Sequence, residues 1–294
     1  MGERRSAAFY LLAAFFSAYV LFLYGPMIVI VVLSFQGPEG GLTFPMRGFS
    51  THWFSTLWDG GGIVDIGAAF WRSLHLGLVV TVLTVVISTL AGLAYRRTFR
   101  GQALLFYVAV ASLIVPSIVT SLGIALLFRL VDTAIKAGPG WISDRYTTGM
   151  GLFTSGLAAH LTWTLPFGLL VMFAIFNRFD GRFEEAARDL GATPWQSFRH
   201  VVVLPLILPA LVGVALFGFT LSWDEIARSS QAIGSDNTLP MQLQALTTTV
   251  TTPMIYALGT ATTGVSFVVI ALALLGIALL RARQSRHGSD AGRA

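Results

Sequence analysis

The stretch "RFEEAARDLGATPWQSFRHVVVLPLILP", Arg182 to Pro209, sets charged residues, a glycine and three prolines between two of the most apolar segments of the chain. From its start, Phe183, Ala186, Ala187 and Leu190 recur at helical spacing, while Glu184 and Arg188 stand four residues apart on another face. The spacing predicts a short amphipathic helix. Gly191 is placed to end it as a left-handed residue, and "TPWQ" then offers Thr193 as N-cap, Pro194 at the first helical position and Gln196 as reciprocal cap. A second helix begins at once, carrying Trp195, Phe198 and Val202 toward one side before it enters an apolar run. Pro205 and Pro209 each remove a backbone donor there and are expected to bend or loosen that entry. The outcome is a helical hairpin over residues 178–200. Two readings of it stand on the residues alone. It rests on lipid headgroups, or it grips a protein partner, which its small, alanine-rich face suits better.

Working outward, the 294 residues are 55% hydrophobic and 11% charged, a balance that polar surface could not cover in water. An all-α, polytopic membrane protein is expected. A hydrocarbon core of about 30 Å needs roughly 20 apolar residues per helix, and six segments qualify: 9–34, 74–95, 103–128, 150–176, 201–223 and 256–280. The first follows Arg4 and Arg5 as a signal peptide would, but its apolar run exceeds the usual stretch of about 7–15 residues, so an uncleaved helix is expected. Placing both termini in the cytoplasm puts most of the 19 Lys and Arg residues there, as the positive-inside rule requires, and leaves outer loops near 35–73, 129–149 and 224–255. The tail "RARQSRHGSDAGRA", residues 281–294, is polar without an apolar face, so disorder is expected. The whole of 1–294 reads as a single transmembrane domain.

Composition also excludes chemistry. With no cysteine there is no disulfide or thiolate metal site, and the five histidines lack ligand spacing. The net charge of +5 comes from arginines beside apolar spans, not from a basic groove with interleaved aromatics, so nucleic acid is not a partner. No phosphate-binding loop is present, so any ATP must be hydrolysed by another subunit.

Glu185-Ala186-Ala187, Gly191 four residues on, and Leu204-Pro205 resemble the cytoplasmic signature of ABC importer permeases. The intervening "ATPWQSFRHVVV" is one residue longer than the common form, which is expected to shift the phase of the helix entering the fifth span. Resemblance extends over nearly the whole chain to spermidine/putrescine-type permeases, through "YGPMIVIVVLSF", "HLTWTLPF", "TLSWDE" and "NTLPMQLQALT". It implies a type I importer permease fold in the bacterial inner membrane and a transport subunit that is not itself an enzyme. It also implies that Glu184, Glu185, Ala186, Ala187, Arg188, Asp189, Gly191 and Pro194 dock into a cytoplasmic ATPase. The implied partners are a second permease subunit, two ATPases that use ATP and Mg, a periplasmic or lipid-anchored binding protein, and membrane lipid.

Ionisable groups near membrane depth are costly and mark candidates for the solute path. Trp223, Asp224 and Glu225 close the fifth span, where acids beside an aromatic suit ammonium groups; the bland alternative is a solvated loop start. His160 lies inside the fourth span and reads either as a path residue or as a hydrogen-bonding tie between helices. The expected cargo is a polyamine, with an aminophosphonate, an opine or ferric iron as alternatives. A self-sufficient secondary transporter is the competing class, disfavoured by the lack of acidic pairs in mid-span.

Overall fold

The computed structural model describes residues 6–59, 65–249 and 252–290, with the side chains of 204–206 and 280–290 excepted. Arg4, Arg5 and the last four residues of the tail lie outside them. The described residues are helical apart from turns and one isolated bridge, Gln36 to Phe49. The helices are α1 (Ala7–Leu33), α2 (His52–Trp58), α3 (Ile66–Ala94), α4 (Gln102–Ile114), α5 (Ser117–Lys136), α6 (Gly140–Ser143), α7 (Leu157–Phe176), α8 (Arg182–Asp189), α9 (Pro194–Ser197), α10 (Leu208–Trp223), α11 (Ser229–Ala232), α12 (Leu239–Thr249) and α13 (Met254–Asp290). Two π-helical stretches, Leu152–Gly156 and Phe198–Ile207, lead into α7 and α10. Five helical segments are long and apolar enough to cross a membrane, and the bent pair Pro194–Val203 and Leu208–Trp223 supplies a sixth if taken as one span.

Two expectations need correction. The apolar run 103–128 is not one helix: α4 stops at Ile114, Val115 adopts an extended conformation with ψ 130°, and α5 restarts after Pro116. Proline clashes with a helical conformation at the preceding residue, which places the break. The third span is therefore α5, and it runs on to Lys136 through what hydropathy assigns to a loop. At the other end, α13 continues to Asp290, so residues 281–290 are helical rather than disordered. The tail lacks proline, and its arginines and alanines have high helix propensity. Contacts group the chain into two compact units, Met1–Gly67 with Leu243–Val265 and Ala68–Gln242 with Ser266–Ala294. Helix α1 buries only Leu33.

In the first unit the amide of Gln36 organises the turn after α1, with its Nε2 donating to Gly41 O and its Oε1 accepting from Arg47 N. Tyr256 on α13 donates its hydroxyl to Leu42 O, closing the unit. The second unit is built on α3, α7 and α10. Small residues let these helices approach closely, as expected where lipid offers no hydrophobic drive to helix association. Buried Thr84 and Thr164 hydroxyls meet at 2.7 Å. A Cβ on Gly92 would lie 2.8 Å from Phe176 Cε2 and 2.9 Å from Met172 Cβ. Gly92→Val is therefore expected to overpack the α3–α7 crossing and cost about 1–3 kcal/mol, read as a lower Tm of the purified permease.

Candidate functional site

The hairpin forms as its sequence dictates. Helix α8 ends in a Schellman arrangement: Gly191 takes φ +89°, its N–H donates to Arg188 O at 2.9 Å, and Ala192 N–H donates to Ala187 O at 3.0 Å. Thr193 Oγ1 then accepts from Gln196 N–H while Gln196 Oε1 accepts from Thr193 N–H, a complete capping box with Pro194 at the first helical position. Gly191 meets nothing that would exclude a Cβ, so only its left-handed backbone demands glycine.

Beyond α9 the chain does not enter the membrane as a plain α-helix. Phe198–Ile207 is π-helical, and the segments on either side of its end meet at 58°. A π-turn takes one more residue than an α-turn. Val202 and Ile207, both within this stretch, are buried with Met172, Phe176 and Val214 in one core. Pro205 lies within this stretch, where its missing donor loosens the helix, and Pro209 in the first turn of α10, where a missing donor costs least.

The hairpin is clamped from within the chain. Glu184 pairs with Arg96 at 2.9 Å, both side chains being mostly buried. The Arg96 guanidinium also lies 5.0 Å from the Phe179 ring centroid and 5.8 Å from that of Phe176. Ser197, itself buried, donates to Glu184 O and ties the second helix back to the first. Glu184 therefore faces inward, and the sequence pattern, which groups it with its exposed neighbours, does not separate the two roles. Glu185, Arg188 and Asp189 are exposed and form no side-chain hydrogen bond or ion pair among the described residues. The apolar face of α8 is exposed too: Phe183 is 63% and Leu190 90% accessible, with Trp195 at 67%.

At the opposite end of α10 the predicted path residues separate. Trp223 is buried, stacked on Phe219 with ring centroids 5.6 Å apart and edge-on to Phe70. Its ring packs into the helix core. Asp224 is open to the surface, yet packing beneath it pushes its carboxyl above the usual carboxylate range. Glu225 caps the turn into α11, its Oε1 accepting from Arg228 N–H at 2.9 Å. His160 is buried with both ring nitrogens engaged, Nδ1 with Ser222 Oγ at 2.8 Å and Nε2 with Ser229 Oγ at 2.9 Å. Because Ser229 donates to Glu225 O, the ring's Nε2–H donates to Ser229 and Nδ1 accepts from Ser222. His160 thus ties α7 to α10 and α11 as the hydrogen-bonding alternative anticipates. The residue missed by sequence reasoning here is Arg228, fully buried against Trp163. No group of His, Asp or Glu among the described residues has the geometry to hold a metal ion.

Apolar spans interrupted by one capped, clamped hairpin with an exposed apolar face define a multi-pass membrane protein. The chain belongs to the binding-protein-dependent transport system inner membrane component family, whose pattern matches residues 84–286. It is an inner-membrane permease of an ABC importer. It is 31% identical over 281 residues to the spermidine/putrescine transport system permease protein PotC of Haemophilus influenzae, covering 95% of this chain and 99% of that one. It is 33% identical over 242 residues to the putrescine transport system permease protein PotI of Escherichia coli K12, covering 81% and 80%. The fold is shared with a bacterial ABC transporter involved in the import of the acidic polysaccharide alginate, at TM-score 0.61 and 14% identity, over 94% of this chain and 95% of that one.

Proposed function

We propose that the hairpin docks into a cytoplasmic ATPase subunit and that the permease imports a polyamine such as spermidine or putrescine. The observation that carries the docking is the exposure of Phe183 and Leu190 on a helix whose other face is fixed to the turn after α3 through Glu184 and Arg96. A clamped hairpin with a free apolar face can pass force from a partner into the membrane, and the π-helical bend at Phe198–Ile207 lets it move without dragging α10 as a rigid rod. ATP and Mg belong to the ATPases, of which two are expected, alongside a second permease subunit and a binding protein that delivers the solute. Both termini lie in the cytoplasm. The reading of the cargo is supported by the polyamine permeases among the relatives and by the acidic corner at Asp224 and Glu225.

Reconstitution of the complete importer in liposomes tests both parts. ATP-dependent uptake of labelled putrescine in the presence of the binding protein is the expected result; uptake by this chain alone, driven by an ion gradient, would overturn it. Asp224→Asn is expected to lower putrescine uptake by about tenfold, the loss of one ammonium-attracting charge at a partly desolvated site. Uptake unchanged by that substitution would remove Asp224 from the path.

A further inference from the structure

Arg228 is 0% exposed, and none of its three guanidinium nitrogens has a hydrogen-bond partner among the described residues. A buried arginine kept only for structure normally receives a carboxylate or carbonyl fork, because an unpaired buried charge costs several kcal/mol. Arg228 is held differently. Its guanidinium carbon lies 4.6 Å from the centroid of Trp163, and the nearby Glu225 carboxylate favours its charge where burial opposes it. Its backbone is fixed independently, the N–H by Glu225 and the carbonyl by Ser121 of α5 at 2.6 Å, so the side chain can leave without unravelling the turn.

The aromatic face beneath the guanidinium does not stand alone. Trp163 meets Phe167 one turn along α7, edge to face at 5.3 Å, and Phe167 stacks on Phe217 of α10 at 6.3 Å with only 12° between planes. Phe217 is 49% exposed, so the row runs from the surface of the unit inward to Arg228. An aromatic face beside a carboxylate, with no acceptor set for a particular N–H geometry, is the chemistry that holds alkylammonium ions.

We propose that the guanidinium of Arg228 is a tethered occupant of the site for a substrate ammonium group, on Trp163 and beside Glu225, and that the incoming cation displaces it. This rests on the polyamine reading of the cargo. With the site filled by the chain's own cation, small monovalent ions find no vacancy when no substrate is delivered. A polycation released at high local concentration by a binding protein takes the aromatic face and the carboxylate together, and Arg228 swings away.

The test uses the complete purified importer without binding protein, with methylammonium and putrescine as equilibrium-binding probes. Arg228→Ala is expected to bind both at least about tenfold more tightly than the wild type, the gain appropriate to a vacated cation–π site. Arg228→Lys, which keeps a tethered cation, is expected to bind them no better than the wild type. A folded Arg228→Ala importer with unchanged affinity for both probes would overturn the inference, as would equal affinities in the Ala and Lys variants. Should Arg228→Ala not fold, the wild type provides the readout: phenylglyoxal modification of Arg228 rises when binding protein and putrescine are added, and no rise contradicts displacement. Methylammonium separates this outcome from the cargo question. Absent putrescine uptake by the wild type defeats the polyamine reading, whereas tight methylammonium binding by Arg228→Ala alone still supports a tethered cation.

Discussion

A permease carrying Phe183→Asp and Leu190→Asp is expected to fold and enter the membrane normally but to lose its ATPase. Both side chains are largely exposed, so the substitutions remove little from the chain's own core. Against a partner, each apolar side chain buried contributes about 1.5–3 kcal/mol, and an introduced carboxylate would be desolvated in its place. The affinity of purified permease for the ATPase subunit should fall at least about hundredfold. A pull-down or calorimetric titration reads this directly. Unchanged affinity would mean that the exposed face of α8 rests on lipid.

The second large effect concerns the clamp. Arg96→Glu should sever the pair with Glu184, remove the guanidinium from the rings of Phe176 and Phe179, and set two carboxylates where an ion pair of 2.9 Å now sits. Breaking one partner of a mostly buried pair costs about 3 kcal/mol, though remaining exposure of 22% and 15% brings the expectation nearer 2 kcal/mol. ATPase binding through Phe183 and Leu190 should survive while uptake falls about tenfold or more, because the hairpin no longer moves with α3. The reversed pair, Arg96→Glu with Glu184→Arg, should recover much of the uptake. Failure of the reversed pair to recover any, with both chains stably folded, would assign the loss to something other than the clamp.

What the sequence made legible follows the range of the interactions. The caps at Gly191 and Thr193 involve residues within five positions of one another, so their chemistry appears directly in the order of residues. The break at Pro116 is equally local, but hydropathy averages over it, and the continuous apolar run from Ala103 hides a signal that the proline carries plainly. The π-helix at Phe198–Ile207 differs from an α-helix by one residue in its hydrogen-bond step, a difference no apolar period resolves.

Side-chain roles divided similarly. Glu184 and Glu185 are adjacent acids with opposite assignments, decided by Arg96, 88 positions away from Glu184. His160 depends on Ser222 and Ser229, and Arg228 on Trp163, pairs that only the folding of α7 against α10 and α11 brings together. An arginine in a segment that reads as an outer loop looks solvated until tertiary packing buries it.

The absence of cysteine from the chain allows the docking claim to be tested with a single introduced thiol. Leu190→Cys, treated in native membranes with a short thiol-to-amine cross-linker, is the most direct measurement. The account predicts a covalent adduct between permease and ATPase subunit, absent when the thiol is placed instead by Trp141→Cys, an exposed position on α6 far along the chain from the hairpin. An adduct formed equally from both positions, or no protein adduct from position 190 in membranes that contain the ATPase, would contradict it.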